Sequence, residues 1–219
     1  VASHEYGFGG GIATSFAFRG KGGAVIVVSP GCRLDPAALD AVGELGRVEA
    51  LVANNNFHWL GQAEWRKRFP EARSYAHPAA MPRLSKKAPD VKWEPIENLA
   101  PLLPDGARFV EPAGLPGNAF AVVPTSSGAR FWFVSDLLAN LPMPPGFVFK
   151  TLMSMTDSAP GFKLFRPSVW LQVKDKKGLI AWFDEQLSKA PPTTIVPAHG
   201  APVQMPDLVE ATRALIAKV

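Results

Sequence analysis

His58, Asp136 and His199 are the residues of this 219-residue chain whose types and placement could do chemistry together. Each follows an apolar run that reads as a β-strand. His58 comes after residues 48–52 through the loop Ala53-Asn54-Asn55-Asn56-Phe57. Asp136 ends the run Arg130-Phe131-Trp132-Phe133-Val134-Ser135, and His199 follows Thr194-Ile195-Val196-Pro197-Ala198. Layered α/β proteins place their sites at the carboxyl ends of strands, where the loops diverge and leave a crevice. Two imidazoles and a carboxylate are a ligand set for one divalent transition metal. Catalytic zinc commonly takes three protein ligands and leaves a fourth position to water. Each residue also has a plainer reading. His58 caps a helix, Asp136 caps Leu137-Leu138 or forms an Asx turn, and His199 before Gly200 is a turn residue. Spacing alone leaves both readings open.

Other candidates carry less. His77, in Tyr75-Ala76-His77-Pro78, is either a surface or capping histidine or a loop residue that reaches the same edge and touches substrate. Trp59, Trp65 and Phe69 recur at helical spacing and read most simply as core or half-buried helix residues. His4 stands too near the start to support an inference. Gly9-Gly10-Gly11 precedes a strand and lacks the strand-to-helix setting of a phosphate loop. Ser126-Ser127-Gly128 is a turn without the G-x-S-x-G elbow of a serine hydrolase. The single Cys32 excludes an internal disulfide and a cysteine-based zinc cluster, and reads as a small buried apolar residue.

The elements that must position these residues alternate along the chain. Residues 15–18 and 24–28 predict a hairpin around Arg19-Gly20-Lys21-Gly22-Gly23. Asp35-Pro36 predicts a helix start, with Leu39, Val42 and Leu45 on one face and Gly46 as its stop. Residues 48–52 predict a strand, 59–69 a helix stopped by Pro70, and 73–76 a short strand. Strands are expected at 108–110, 119–123, 130–134 and 193–196, and helices at 179–187 and from Pro206-Asp207 onward. Residues 140–168, rich in Pro, Met and Phe, predict a long excursion with one short helix around 147–155. The apolar side chains of 141–165 would form either a wall over the crevice or a patch that packs a homodimer. No composition break separates two units, so one domain over residues 1–219 is expected, an α/β fold of sheets covered by helices.

Composition excludes several function classes. With 47 % hydrophobic and 19 % charged residues, the chain has material for a core and too little charge for disorder. The 19 Gly and 22 Pro residues predict many ordered loops. A net charge of +4 without a basic helix stripe argues against a nucleic-acid partner. No apolar run reaches the ~18 residues of a membrane span. The start Val1-Ala2-Ser3-His4-Glu5 has no secretory pattern, which makes the cytoplasm the expected compartment.

The order of motifs resembles the metallo-β-lactamase fold superfamily. The matching residues are the Asn-rich loop with His58-Trp59-Leu60-Gly61, then Ser135-Asp136-Leu137-Leu138-Ala139-Asn140, and finally Val196-Pro197-Ala198-His199-Gly200. In that family a H-x-H-x-D-H loop follows an early strand, a bridging Asp ends a later strand and a last His follows near the end. The resemblance implies a four-layer αββα sandwich of two mixed β-sheets flanked by helices, with a metal site between the sheets at one edge.

The departures shape the expectation. Matching His58 to the last His of the loop motif puts Ala53, Asn55 and Phe57 where the family has His, His and Asp. The family's middle His falls near Gly114-Leu115-Pro116-Gly117-Asn118, which has none. A two-metal centre is therefore not expected. One divalent metal, zinc first among the choices, could bind His58, Asp136 and His199, and a hydrolase acting on a small ester, lactone, thioester or phosphoester is implied. Asn55 would orient substrate or donate to a developing oxyanion beside catalytic Asp136, with Phe57, Trp59 and His77 as further substrate contacts. The rival expectation is a metal-free descendant that binds a ligand or partner without catalysis.

Overall fold

In the computed structural model of the chain, residues 2–6 and 11–219 are described, with side chains from residue 12 onward. The His4 side chain, Gly9 and Gly10 lie outside the described residues. The first half contributes β1 (Ala2–Tyr6), β2 (Gly11–Arg19), β3 (Ala24–Val28), α1 (Pro36–Glu44), β4 (Arg47–Ala53), α2 (Gln62–Arg68), β5 (Arg73–Ala76), α3 (Met81–Lys87) and β6 (Trp93–Pro95). The second half contributes β7 (Arg108–Val110), β8 (Phe120–Pro124), β9 (Arg130–Phe133), β10 (Leu138–Leu141), α4 (Phe147–Met155), β11 (Gly161–Leu164), α5 (Arg166–Gln172), α6 (Lys176–Lys189), β12 (Thr194–Val196), β13 (His199–Gly200) and α7 (Leu208–Ile216).

The six strands β1 to β6 form one mixed sheet in sequence order. β2 and β3 are the expected antiparallel hairpin, and β3 through β6 run parallel. The second mixed layer comprises β12-β9-β8-β7 and the shorter group β11-β10-β13, with parallel pairing of β12 to β9 and of β10 to β13. Side-chain alternation then builds four layers. Ile26, Val28, Ala50 and Val52 of the first sheet meet Ala121, Val123, Phe133 and Val196 of the second in the central core. Val25, Val27 and Leu51 point the other way, against Leu39 and Val42 of α1 and Trp65 of α2. On the far side Phe120, Trp132 and Ile195 pack against Leu179, Phe183 and Leu187 of α6. This is the αββα sandwich, and strands covered on both faces explain why residues 24–28 are apolar without alternation.

Local chemistry sets the element ends. Asp35 caps α1 by accepting the Ala37 N–H at 2.9 Å, with Pro36 in the first turn. The helix expected over 59–69 starts only at Gln62, because the chain at Gly61 closes on the Pro30–Gly31 turn. A Cβ on Gly61 would lie 2.1 Å from the Pro30 carbonyl oxygen and 2.4 Å from that of Gly31. The excursion at 140–168 does contain a helix at Phe147–Met155, yet it also contains β11, paired antiparallel with β10. α3, with Pro82 in its first turn, has no counterpart in the sequence reading. Among the described residues, no helix is long and apolar enough to cross a membrane.

Candidate active site: one carboxylate between two imidazoles

The site sits where strands of both layers end. β9 runs on through Val134, whose N–H bonds the Val196 carbonyl, to Ser135, whose carbonyl accepts the Ala198 N–H at 2.9 Å. That pairing brings Asp136 and His199, each three residues beyond the end of its strand, side by side. His58 arrives from the other sheet, on the loop after β4. Ser29, at the end of β3, and Ser135 both take left-handed backbone conformations, φ 55° and 57°. Such geometry costs a non-glycine residue about 1 kcal/mol or more. It turns the Ser29 hydroxyl towards His58.

His58 Nε2 lies 3.0 Å and His199 Nε2 3.2 Å from the same atom, Asp136 Oδ1. Both Nδ1 atoms are anchored: His58 Nδ1 to the Ser29 hydroxyl at 2.6 Å, His199 Nδ1 to the Ile12 carbonyl at 2.9 Å. A carbonyl only accepts, so His199 Nδ1 carries a proton and Nε2 is the atom left for other work. Phe165 packs on the His199 ring at 5.1 Å between centroids. The carboxylate's other oxygen accepts from Asn55 Nδ2 at 2.7 Å.

Burial alone would push the Asp136 carboxyl up. The charge of His58, then hydrogen bonds from His199 and His58 and the charge of His199, outweigh it and hold the group well below the ordinary carboxylate range. Burial likewise opposes charge on His199, but its hydrogen bond to Asp136, the charge of Asp136 and the Ile12 carbonyl raise it above its usual value. Linkage follows from the two signs. The Asp136 contribution is present above the unfolded carboxylate value and is lost as pH falls through the depressed folded one. The His199 contribution is complete below the unfolded imidazole value of 6.5 and is lost as pH rises through the raised folded one. Metal-free protein should therefore be most stable between about pH 4 and 6.5. Urea melts at fixed pH steps test this, and unchanged stability from pH 6 to 9 contradicts it.

A cleft of about 180 Å³ opens onto the three groups, lined by Pro30, Cys32, Phe57, Leu60 and Ser29 besides His58, Asp136 and His199. Its apolar wall thus comes from the loops after β3 and β4, with Ala13 of β2. No residue of 141–165 lines it, and Phe147, Val148 and Met155 of α4 are instead 83 %, 74 % and 82 % exposed. Of the expected contacts, Phe57 lines the cleft. Trp59 packs beside Ala53, Ala76 and Leu84. His77 faces Glu111 at 3.6 Å in a separate, wider cavity of about 550 Å³. That cavity is larger, and His58, Asp136 and His199 are not among its lining residues. Asn55, fully buried, turns its amide hydrogens to Ser135 and Asp136 and sits behind the carboxylate, not in the cleft. Ser29, Asn118, Ser135 and Gln172 are the site-forming residues that sequence reading missed. The one available signal was Asn118, which ends the segment where the resemblance places a histidine.

No family model and no curated protein matches the chain. Solved structures do. A metallo-β-lactamase from Pontibacter korlensis superposes with a TM-score of 0.58 at 13 % identity, covering 99 % of this chain and 94 % of that one. A metallo-β-lactamase from Erythrobacter litoralis gives 0.58 at 15 %, with 97 % and 84 % covered. The chain has the metallo-β-lactamase fold. The metal-soaked Flv1 flavodiiron core from Synechocystis sp. PCC6803 shares it at 0.52 and 15 %, over 94 % of this chain, which spans about half (52 %) of that one.

The residues do not fit a two-metal centre. Ala53 and Phe57 offer no ligand, and Asn55 presents N–H groups to the carboxylate. Among the described residues, no group of three or more His, Cys, Asp or Glu side chains is arranged as it stands to hold a metal ion. The chemistry of the remaining trio nevertheless fits a single cation. Ligating histidines are held through their other ring nitrogen by carbonyl or similar partners, as both are here. Donors 2.0–2.1 Å from a tetrahedral zinc stand about 3.3–3.4 Å apart. The observed 3.0 and 3.2 Å need to open by only a few tenths of an ångström.

Proposed function

We propose that the protein is a hydrolase-like enzyme that holds one divalent metal, zinc in the first instance, between His58, Asp136 and His199. One observation carries this reading: two imidazoles, each tied back through Nδ1, aim Nε2 at one oxygen of a buried carboxylate. His199 Nδ1 is protonated against the Ile12 carbonyl, and with a proton on His58 Nδ1 as well, two Nε2 lone pairs and an anionic oxygen would converge on a cation. A metal there supplies Lewis acidity towards a carbonyl or phosphoryl oxygen and a water acidic enough to ionise near neutral pH. The chain does the rest. The Ile12 carbonyl fixes the His199 tautomer, Ser29 anchors the His58 ring, Asn55 orients Asp136, and Pro30, Cys32, Phe57 and Leu60 give the cleft apolar walls. A space of about 180 Å³ with such walls suits a small acyl or phosphoryl group, as in a short ester, lactone, thioester or phosphoester.

A second reading, a metal-free ligand-binding descendant, is favoured by the closure of the trio on itself: Asp136 is fully hydrogen-bonded without a metal. Metal analysis separates the two. Chelator-treated protein dialysed against zinc is expected to retain one equivalent, lost in His58→Ala and His199→Ala, with hydrolysis of a small ester panel only in the loaded form. No retained zinc, with a melting temperature indifferent to chelator, supports the second reading.

A further inference from the structure

Behind Asp136, on the side away from the cleft, lies a closed ring of amides. Asp136 Oδ2 accepts from Asn55 Nδ2 at 2.7 Å and, more loosely, from Gln172 Nε2 at 3.5 Å. Gln172 Oε1 accepts from Asn118 Nδ2 at 3.1 Å. Asn118 Oδ1 accepts from the Ser135 hydroxyl at 3.0 Å, and Ser135 Oγ accepts from Asn55 Nδ2 at 2.8 Å. The orientation of each amide is dictated by its partners. Asn55 Oδ1 takes the Phe57 N–H at 2.7 Å, and Gln172 Nε2 also donates to Ser168 Oγ at 2.7 Å. Flipping Asn55 would set its carbonyl oxygen against a carboxylate and leave the Phe57 N–H facing an NH2 group. Asn55, Asn118 and Ser135 are buried, so the ring cannot exchange these bonds for water at no cost.

Every group that meets Oδ2 therefore brings a hydrogen, a positive partial charge without a formal one. A cation on this oxygen would have to displace those donors and would meet neutral amides where it needs anionic oxygens.

We propose that Asn55, Asn118, Ser135 and Gln172 are positioning residues that keep Asp136 Oδ2 as a hydrogen-bond acceptor, so that the site offers Oδ1 alone and admits a single cation. This rests on the cation-holding reading of the site and adds what sets its count. The consequence is specific: turning one ring donor into an anionic acceptor sets two carboxylates face to face, which need a shared proton or a cation between them, and zinc in excess competes for that second position.

Native mass spectrometry of the full chain with zinc acetate tests it. Gln172→Glu sits on a half-buried helix end and is the main variant, and Asn55→Asp is the buried counterpart. Each should hold one ion more than the parent chain. Gln172→Ala should keep the parent count and bind about 10-fold more weakly, the effect of losing an outer partner of a ligand. Two ions on the parent chain, or no gain in Gln172→Glu, overturn the proposal. A parent chain that holds none and a Gln172→Glu variant that holds one defeat the single-metal reading and leave the ring's role standing. A ring that merely props the fold would lower the melting temperature of Gln172→Ala and leave the ion count of Gln172→Glu unchanged.

Discussion

Asp136→Ala is expected to cost metal-free protein about 3–5 kcal/mol, the range seen when one partner of a buried ion pair is removed. The variant should also lose zinc binding altogether. The loss has three parts. His199 loses the carboxylate that supports its charge, or must give up its proton. His58 Nε2 loses its hydrogen bond to Asp136, while Nδ1 keeps Ser29. The Asn55 amide keeps Ser135 but loses its stronger acceptor, in a place that water does not reach. Deprotonation of His199 trims the cost towards the lower end. Urea melts at pH 6, where both partners of the native pair are charged, read the effect. A change below about 1 kcal/mol would mean that the carboxylate is not the hub of the site.

Phe183→Ala should cost as much by a different route. The ring is 1 % exposed in the layer between the second sheet and α6, edge-on to Phe120 at 6.1 Å and tilted against Trp132 at 6.3 Å. Truncation of a buried Phe costs about 3–5 kcal/mol through lost transfer energy and the cavity left behind. It should leave the zinc count and the pH of maximum stability unchanged, because among the described residues none of α6 lines the cleft or supplies a hydrogen bond of the amide ring. The pair of variants thus separates stability from site: similar melts, opposite metal binding. Zinc loss in Phe183→Ala would show that the site depends on overall stability and not on its own bonds.

Much of this architecture is written in the amino-acid order, for identifiable reasons. Residues 24–28, and 48–52 apart from Glu49, are apolar because both faces of their strands are covered, and Asp35-Pro36 announces a helix start. A polar residue within a few positions of the end of a buried strand stands out, which is how His58, Asp136 and His199 could be picked from a chain with no family match. Other features leave no local trace. β10 and β11 are four residues each, too short for a period, and are defined by pairing with each other. The amide ring joins Asn55, Asn118, Ser135 and Gln172 across separations of up to 80 residues, and Asn or Gln gives no periodic signal. Asn55 was expected to face substrate. The Phe57 N–H takes its oxygen and so turns its hydrogens on Asp136. The Met- and Phe-rich segment suggested a wall over the crevice, but α4 turns Phe147, Val148 and Met155 outward, and short loops after β3 and β4 line the cleft in its place.

The central claim is that His58, Asp136 and His199 define one cation position. Anomalous diffraction at the zinc edge, from a crystal grown without chelator and soaked in zinc, tests it most directly. A single peak bounded by the two Nε2 atoms and Asp136 Oδ1, with nothing on Oδ2, is the predicted map. Zinc bound elsewhere while this position stays dark, or a second peak against Oδ2, would contradict it.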